Sequence, residues 1–216
     1  RYEGPTRLPR AYAKPVEKTR HWAHTNRHIG LTETIRRIHP TILIGTSTDH
    51  DAFTQQVVEE MCREVERPII MPLSNPTEKI EAMPADVIAW SKGKALVSVG
   101  IPVAPFHYEG TRYEIGQGNN ALLYPGLGLG VIVSGAERVS ARMIRAAAEA
   151  VASQVDPRPA GSSLLPAVEN LRASSATVAV AVVQAAIEEG LATKKPSNVV
   201  QAVQDAMWWP HYPPVG

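Results

Sequence analysis

Three short apolar runs, each followed by a loop, constrain the fold of this chain more than any other feature. The runs occupy residues 41–45, 68–73 and 95–100 and are rich in Ile, Leu and Val. Apolar runs of this length are typical of strands that are buried on both faces, as in parallel sheets. Amphipathic helical patterns over 54–66 and 84–90 separate them. The alternation therefore predicts βαβ units and an α/β fold built on a parallel sheet.

Helical patterns and turn signals organise the rest of the chain. Thr32 is predicted to cap a short helix over 33–38, and Glu109-Gly110 predicts the turn of a hairpin. Residues 121–134 are nearly all apolar or glycine, which predicts a helix that is buried on all sides. Further helices are predicted over 140–155, 173–189 and 198–207, with a loop over 156–166. We divide the chain into a sheet domain, 1–135, and a helical C-terminal extension, 136–216, packed on it.

Composition excludes several classes of function. The 216 residues carry a formal net charge of +1, which is too small for a nucleic-acid footprint or a membrane-surface patch. No uninterrupted apolar run is long enough to span a bilayer. The single Cys62 excludes an internal disulfide and fits a reducing compartment. We therefore expect a cytoplasmic protein that binds neither nucleic acid nor membranes. Because the sequence opens at Arg1 and not at Met, we expect this start to be a cut or the start of the ordered part.

Polar loops follow the predicted strands at the edge where parallel sheets bind their ligands. Gly45, Thr46 and Ser47 follow the first strand, and Ser-Asn-Pro-Thr at 74–77 follows the second. In open α/β sheets, ligands lie beyond the carboxyl ends of the strands. Gly-Ile-Pro at 100–102 follows the third strand. A further segment, Gly-Gln-Gly-Asn-Asn at 116–120, opens the apolar helix, and a helix N-terminus favours an anion. These loops predict a site for a small polar molecule.

Three carboxamides are the candidate ligand-binding groups of this site. Asn75, Asn119 and Asn120 each offer a donor and an acceptor, so they hold a carboxylate, hydroxyl or amide without adding charge. Gly116 and Gly118 allow the backbone to approach a ligand closely. A structural interpretation stays open beside the functional one, because Ser-Asn-Pro-Thr is also an ordinary turn and an Asn pair also caps helices.

Other motifs do not predict sites. The glycines at 126, 128 and 130 have the wrong spacing for a dinucleotide fingerprint and lie inside the apolar helix, where close helix packing explains them. His21, His24 and His28 share a helical face, but no Cys or carboxylate joins them as a metal ligand. The acidic loop 49–51 is interpreted as solvated. The chain contains no zinc-protease motif, nucleophile elbow or paired-Cys zinc pattern.

The order and spacing of these motifs resemble malic enzymes. The matching segments are Arg-Pro-Ile-Ile-Met-Pro-Leu-Ser-Asn-Pro-Thr at 67–77, Trp-Ser at 90–91, the Gly-Gln-Gly-Asn-Asn segment and Tyr-Pro-Gly at 124–126. Thr-Ile-Leu-Ile-Gly-Thr-Ser at 41–47 and Pro-His-Tyr-Pro at 210–213 also match. The resemblance spans nearly the whole chain but only the C-terminal part of the family's architecture. It implies a three-layer, Rossmann-like parallel sheet that is partial, its N-terminal strands missing, with a helical C-terminal extension.

The resemblance implies both an activity and roles for particular residues. Malic enzymes oxidise malate with NAD or NADP and a divalent metal, Mg or Mn, and release carbon dioxide and pyruvate. Asn75, Asn119 and Asn120 correspond to the residues that contact malate, and Asn75 and Asn119 also to contacts of the nicotinamide end of the cofactor. Residues 45–47 correspond to the segment beside the adenosine part of the dinucleotide. Thr46 stands where the family more often has Val, and Asp51 where it often has Gly.

Other parts of the family's machinery are expected upstream of Arg1. The catalytic Tyr and Lys, the metal-binding carboxylates and the Gly-rich phosphate loop belong to that sequence, so this chain holds no catalytic residue and no metal ligand. We expect the isolated segment to do no chemistry and to bind cofactor weakly. An upstream catalytic segment is expected to complete the site, or the protein to form a homo-oligomer. Two alternatives stay open: a malolactic enzyme, which produces lactate, and a non-catalytic ligand-binding relic.

Overall fold

The computed structural model describes residues 14–22 and 29–209. The helices are α1 (Val16–Thr19), α2 (Leu31–Ile38), α3 (Gln55–Glu64), α4 (Pro84–Trp90), α5 (Tyr124–Ser134), α6 (Ala141–Ala152), α7 (Leu171–Glu188) and α8 (Val199–Ala206). The strands are β1 (Ile42–Gly45), β2 (Ile69–Pro72), β3 (Leu96–Val99), β4 (Phe106–Tyr108), β5 (Thr111–Tyr113) and β6 (Gly116–Gln117). Single turns of 3₁₀ helix lie at Arg20–Trp22, Thr77–Lys79, Asn120–Leu122 and Val168–Asn170.

Four strands form one parallel sheet, in the order β1-β2-β3-β6. Each of the first three is followed by a crossover, so the parallel α/β fold predicted from the sequence is confirmed. The sequence pattern does not predict β6, because its two residues, Gly116 and Gln117, are too few to show a period. The strand joins the sheet beside β3, where the Gly118 N–H donates to the Val99 carbonyl at 2.7 Å.

Local sequence signals account for several turns and helix starts. The β4–β5 hairpin turns at Glu109 and Gly110, whose φ angles of 47° and 77° fit a type I′ turn. Thr54 caps α3 by accepting a hydrogen bond from the Val57 N–H, and Asn198 caps α8 in the same way. The hairpin and the last helix therefore lie where the sequence predicts them.

The predicted cap of α2 is wrong by two residues. The helix begins at Leu31, and Gly30 occupies the cap position without a side-chain hydrogen bond. The carbonyl of Gly30 accepts hydrogen bonds from both the N–H and the hydroxyl of Thr34. Thr32 therefore lies inside the first turn.

One hydrophobic core lies between the sheet and the helices that connect its strands. Ile70, Val97 and Val99 of the sheet are buried in the same cluster as Val58 and Met61 of α3. Helices α3 and α4 thus cover one face of the sheet with the apolar stripes that the sequence predicts. This cluster fixes the strand order and holds the carboxyl ends of the strands at one edge.

The prediction that β1 is fully buried is wrong. Ile42 and Ile44 are 48% and 57% exposed, whereas Gly45 is buried. β1 is the edge strand of the sheet in the described part of the chain, and only one of its faces meets the core. The apolar run therefore predicts the position of the strand correctly, but it does not predict that one face of the strand is exposed.

The C-terminal helices build a second core around α7. This helix packs against α5, α6 and α8, and its residues Val178, Val182 and Val183 are completely buried. The prediction that α5 is buried on all sides is wrong, because Tyr124 and Ile132 are 59% and 69% exposed. The partners of α5 lie mainly to one side of it. The division of the chain at 135 stays a prediction.

Residues Val168–Glu188 are long and apolar enough to cross a membrane, by length and composition alone. The sequence interpretation excluded such a stretch. In the structure Val178 and Val182 of this stretch are fully buried in the helical core, whereas Arg172 and Thr177 are exposed.

Two of the three glycines in α5 allow the close approach of α7. A Cβ on Gly126 would lie 2.5 Å from the Val178 Cβ, and one on Gly130 would lie 2.6 Å from the Val182 Cβ. A Cβ on Gly128 would meet nothing within 4 Å. The packing explanation therefore holds for Gly126 and Gly130 and not for Gly128.

We expect Gly130→Ala to destabilise the protein by about 1–3 kcal/mol, because the added methyl overlaps Val182 in a packed interface. The matched change Gly128→Ala is expected to stabilise it by about 0.5–1 kcal/mol, since Ala favours helix and nothing crowds the new carbon. Urea denaturation of both variants measures the difference. Equal destabilisation by the two changes would contradict this account of the interface.

Candidate functional site

The predicted site residues lie on loops that leave the carboxyl edge of the sheet. Gly45 ends β1, Asn75 follows β2 by three residues, and Asn119 and Asn120 follow β6. Since these strands are parallel, the three loops emerge on the same side of the molecule.

Close backbone packing brings the loops after β2, β3 and β6 together. A Cβ on Gly100 would lie 2.1 Å from the Leu73 carbonyl oxygen, and one on Gly118 would lie 3.0 Å from Leu73 Cδ2. Leu73 is two residues before Asn75, and Gly118 is one residue before Asn119. The segments that carry these two carboxamides are therefore neighbours.

The three carboxamide residues are exposed and differ in their hydrogen bonding. Asn119 Oδ1 accepts a hydrogen bond from the Ala121 N–H at 2.9 Å, as the cap of the 3₁₀ turn. Asn119 therefore caps a helical turn, as the structural interpretation predicts. Its NH₂ group donates to no protein acceptor among the described residues. Within the same part of the chain, the side chains of Asn75 and Asn120 make no hydrogen bond to protein. Their donors and acceptors are available to a ligand.

Sequence reasoning missed the residue that organises this edge, Glu81. Its side chain is completely buried, and its Oε1 accepts hydrogen bonds from Ser47 N (2.7 Å), Ser47 Oγ (2.9 Å) and Ser74 Oγ (2.6 Å). Its Oε2 accepts a fourth from Ser74 N at 3.2 Å. The signal in the sequence is a single acidic residue between Ile80 and Ala82, directly before α4.

The environment of Glu81 keeps it ionised. Burial raises the pKa of the carboxyl, but the hydrogen bonds from Ser74 and Ser47 outweigh burial and place the pKa below its ordinary value of 4.5. A carboxylate whose folded-state pKa is depressed stabilises the fold at pH values above its unfolded pKa. That stability is lost as the pH falls through the folded-state pKa.

The glycines at this edge make room for protein groups. A Cβ on Gly45 would lie 2.6 Å from Glu81 Cδ, and one on Gly116 would lie 2.6 Å from Ser163 Oγ. Gly45 is therefore a glycine because the Glu81 side chain lies against it. Of the residues at 45–47, Thr46 and Ser47 are both exposed, and Ser47 also gives its N–H and hydroxyl to Glu81.

The loop after β1 contains two non-glycine residues in the left-handed region. Thr48 and Asp51 both have a φ of 59°. This conformation is rare for a β-branched residue such as Thr, and the Thr48 N–H donates to Ser74 Oγ at 2.9 Å. The positive φ at Asp51 also explains why glycine suits this position, because glycine adopts such angles without steric strain.

We expect Asp51→Gly to stabilise the protein slightly or leave its stability unchanged, within about 1 kcal/mol, because relief of the left-handed strain offsets the added chain entropy. The matched change Asp49→Gly, at a position with negative φ, is expected to destabilise. Thermal melts of the two variants compare them. If Asp51→Gly lowers Tm as much as Asp49→Gly does, the backbone at Asp51 is not strained and this account is wrong.

A metal centre is not formed by the described residues. Residues 14–22 and 29–209 contain no group of three or more His, Cys, Asp or Glu side chains placed to hold an ion. His21 lies in the 3₁₀ turn at Arg20–Trp22, and His24 and His28 lie outside the described residues. Asp49 and Asp51 are exposed, as expected for a solvated loop.

A sequence profile of the family described as "Malic enzyme, NAD binding domain" matches residues 6–187. The chain belongs to the malic enzyme family. Its parallel sheet is thus the Rossmann-like sheet of the NAD-binding part of malic enzymes.

Curated relatives and a solved structure are similar to this chain. NAD-dependent malic enzyme 3 of Bacillus subtilis is 51% identical over 187 residues, which cover 87% of this chain and 33% of the relative. The malolactic enzyme of Lactococcus lactis is 46% identical over 182 residues, which cover 84% of this chain and 34% of the relative. The crystal structure of malic enzyme from Pyrococcus horikoshii matches with a TM-score of 0.65 and 26% identity. The match covers 82% of this chain and 36% of that structure's chain. The chain spans about a third of the length of the relatives it matches.

Proposed function

We propose that the intact protein that carries this chain is an NAD-dependent malic enzyme, which oxidises malate and releases pyruvate and carbon dioxide. The observation that carries the proposal is the placement of Asn75, Asn119 and Asn120 on loops at one edge of the sheet, in a malic enzyme family chain. The name of the Bacillus subtilis relative supports NAD as the cofactor rather than NADP.

The carboxamides bind and orient the substrate in this proposal. Asn75 and Asn120 present unengaged amides, which donate to the carboxylates of malate and accept from its hydroxyl group. Asn119 keeps its carbonyl on the helix cap and offers its amide N–H groups to malate or to the nicotinamide. The segment Gly45, Thr46 and Ser47 lies along the adenosine side of the cofactor, with Thr46 and Ser47 as its exposed residues.

The reactive groups come from outside the described residues. Oxidation requires a base that takes the proton of the malate hydroxyl, and bound NAD supplies the hydride acceptor. Decarboxylation is assisted by a divalent cation, Mg or Mn in this family. The described residues do not fit such a cation, since they form no cluster of metal-ligating side chains. We infer that an upstream segment or a second copy of the protein completes the site in the cytoplasm.

A malolactic enzyme is the second candidate, favoured by the relative from Lactococcus lactis. Both reactions start from malate, but their products differ: pyruvate for a malic enzyme and lactate for a malolactic enzyme. The residues described here contact malate and the nicotinamide in either case, so the product distinguishes the two functions.

We expect the intact protein, mixed with malate, NAD and Mn, to release pyruvate and NADH in equal amounts. Residues 1–216 purified alone are expected to give no turnover, because the described residues form no metal site and the resemblance to malic enzymes places the catalytic Tyr and Lys upstream. Chromatography of the organic acids measures pyruvate and lactate, and absorbance measures NADH, in both samples. Lactate without NADH release would establish the malolactic alternative, and no turnover by the intact protein would favour the non-catalytic relic.

We expect Asn75→Ala and Asn120→Ala to lower kcat/KM for malate by about 100-fold each, because a hydrogen bond to a charged group such as a malate carboxylate contributes up to about 3 kcal/mol. The matched control is Asn170→Ala, at an exposed Asn that starts α7 without a side-chain cap. Steady-state kinetics of the intact protein compare the three variants. Unchanged kcat/KM in Asn75→Ala and Asn120→Ala would remove these residues from the site.

A further inference from the structure

Glu81 is a buried charge that has no cationic partner among the described residues. Its residue exposure is 0%, and within 14–22 and 29–209 no Lys, Arg or His nitrogen forms an ion pair with it. The other buried glutamate, Glu60, is 6% exposed and pairs with Arg36 at 3.2 Å and Arg63 at 3.4 Å. A buried carboxylate is costly unless hydrogen bonds replace the water it loses. The four donors around Glu81 fill that role.

These donors come from two separate loops. Ser47 follows β1 and Ser74 follows β2, and each gives the carboxylate both its N–H and its hydroxyl. The Phe53 N–H donates to the Glu81 carbonyl at 2.9 Å, which ties the start of α3 to the same residue. One carboxylate thus sets the spacing between two neighbouring strand ends.

The network also reaches the strained residue of the first loop. Ser74 Oγ donates to Glu81 and accepts from the Thr48 N–H, and Ser47 Oγ accepts from the Asp49 N–H at 3.1 Å. Thr48 has a φ of 59°, which a β-branched residue keeps only where its surroundings hold it. The conformation of this loop therefore depends on the Glu81 contacts.

Ser74 immediately precedes Asn75 in the chain. Its N–H and hydroxyl are fixed by Glu81, so the backbone from which Asn75 projects has a fixed position at the end of β2. Ser47 fixes the backbone next to Thr46 in the same way. Glu81 itself is sealed from solvent and does not line the exposed edge.

We propose that Glu81 is a positioning residue, which holds Asn75 in the geometry that binds malate and the nicotinamide by fixing Ser47 and Ser74. This inference rests on the proposed function. A residue that only supports folding would affect stability, whereas Glu81 acts on substrate binding through one identified neighbour.

Glu81→Gln is the sharpest change because it keeps the volume of the side chain. In either orientation of the amide, its NH₂ group faces a backbone N–H, of Ser47 or of Ser74. One fixed donor is then opposed by another donor, and the two loops separate. Glu60→Gln is the matched control, since it also removes a buried charge but lies in α3, away from the strand ends.

The test is a double-mutant cycle between Glu81→Gln and Asn75→Ala, measured as kcat/KM for malate in the intact protein. The measurement uses saturating NAD, so that any change in cofactor binding at 45–47 does not enter the comparison. We expect Glu81→Gln alone to lower kcat/KM by about tenfold, because a small misplacement of a binding group has an effect of this order. In the Asn75→Ala background the same change is expected to have almost no effect, since the residue through which it acts is gone. Glu60→Gln is expected to lower Tm while leaving kcat/KM unchanged.

Additive losses in the cycle would overturn the proposal, as would an equal loss of kcat/KM in Glu60→Gln. Where Glu81→Gln does not fold, Ser74→Ala replaces it in the cycle, because it removes one donor and keeps the carboxylate. The same coupling to Asn75 is then expected, and additivity again overturns the proposal. Wild-type protein that does not turn over malate would refute the proposed function, and with it the role of Glu81. Turnover with additive losses would refute the role of Glu81 alone.

Discussion

The hydrogen bonds between the Glu81 carboxylate and two serines determine the form of the site. An ionised group that meets no cation in the described part of the chain needs its donors in fixed places. Here those donors are Ser47 and Ser74 at the ends of adjacent strands. The free-energy cost of burying this charge is offset only while the two loops hold their donors against Glu81. Gly45 belongs to the same arrangement, because only a residue without a Cβ fits against Glu81. The polar edge of the sheet is thus stabilised from the interior.

Packing of the neighbouring strands extends this fixed edge toward β6. The contacts of Leu73 with Gly100 and Gly118 bring the loops after β2, β3 and β6 together. Asn119, one residue after Gly118, is therefore near the segment that carries Asn75. The described chain supplies exposed amides at this edge and no cluster of metal-ligating side chains. This division agrees with the proposed function, in which this NAD-binding part orients malate and the reactive groups come from outside the described residues.

Periodicity in the sequence predicts the elements well, because apolar spacing reflects local geometry. The strands β1 to β3, the β4–β5 hairpin and the helices α3 to α8 lie where the pattern indicates. Burial is harder to predict, because it depends on which elements are neighbours: Ile44 and Ile132 belong to apolar runs and are exposed. The carboxamides are visible in the sequence as motifs. Glu81 is not, because its partners Ser47 and Ser74 lie 34 and 7 residues away and only the fold brings them together.

The most direct test of the central claim is a crystal structure of the intact protein with NAD and a non-reactive dicarboxylate analogue of malate. The account predicts that the side-chain amides of Asn75 and Asn120 lie within hydrogen-bonding distance of the bound molecules. Glu81 is predicted to keep its bonds to Ser47 and Ser74 without touching either ligand. A dicarboxylate bound away from this edge of the sheet, or in direct contact with Glu81, would contradict the account.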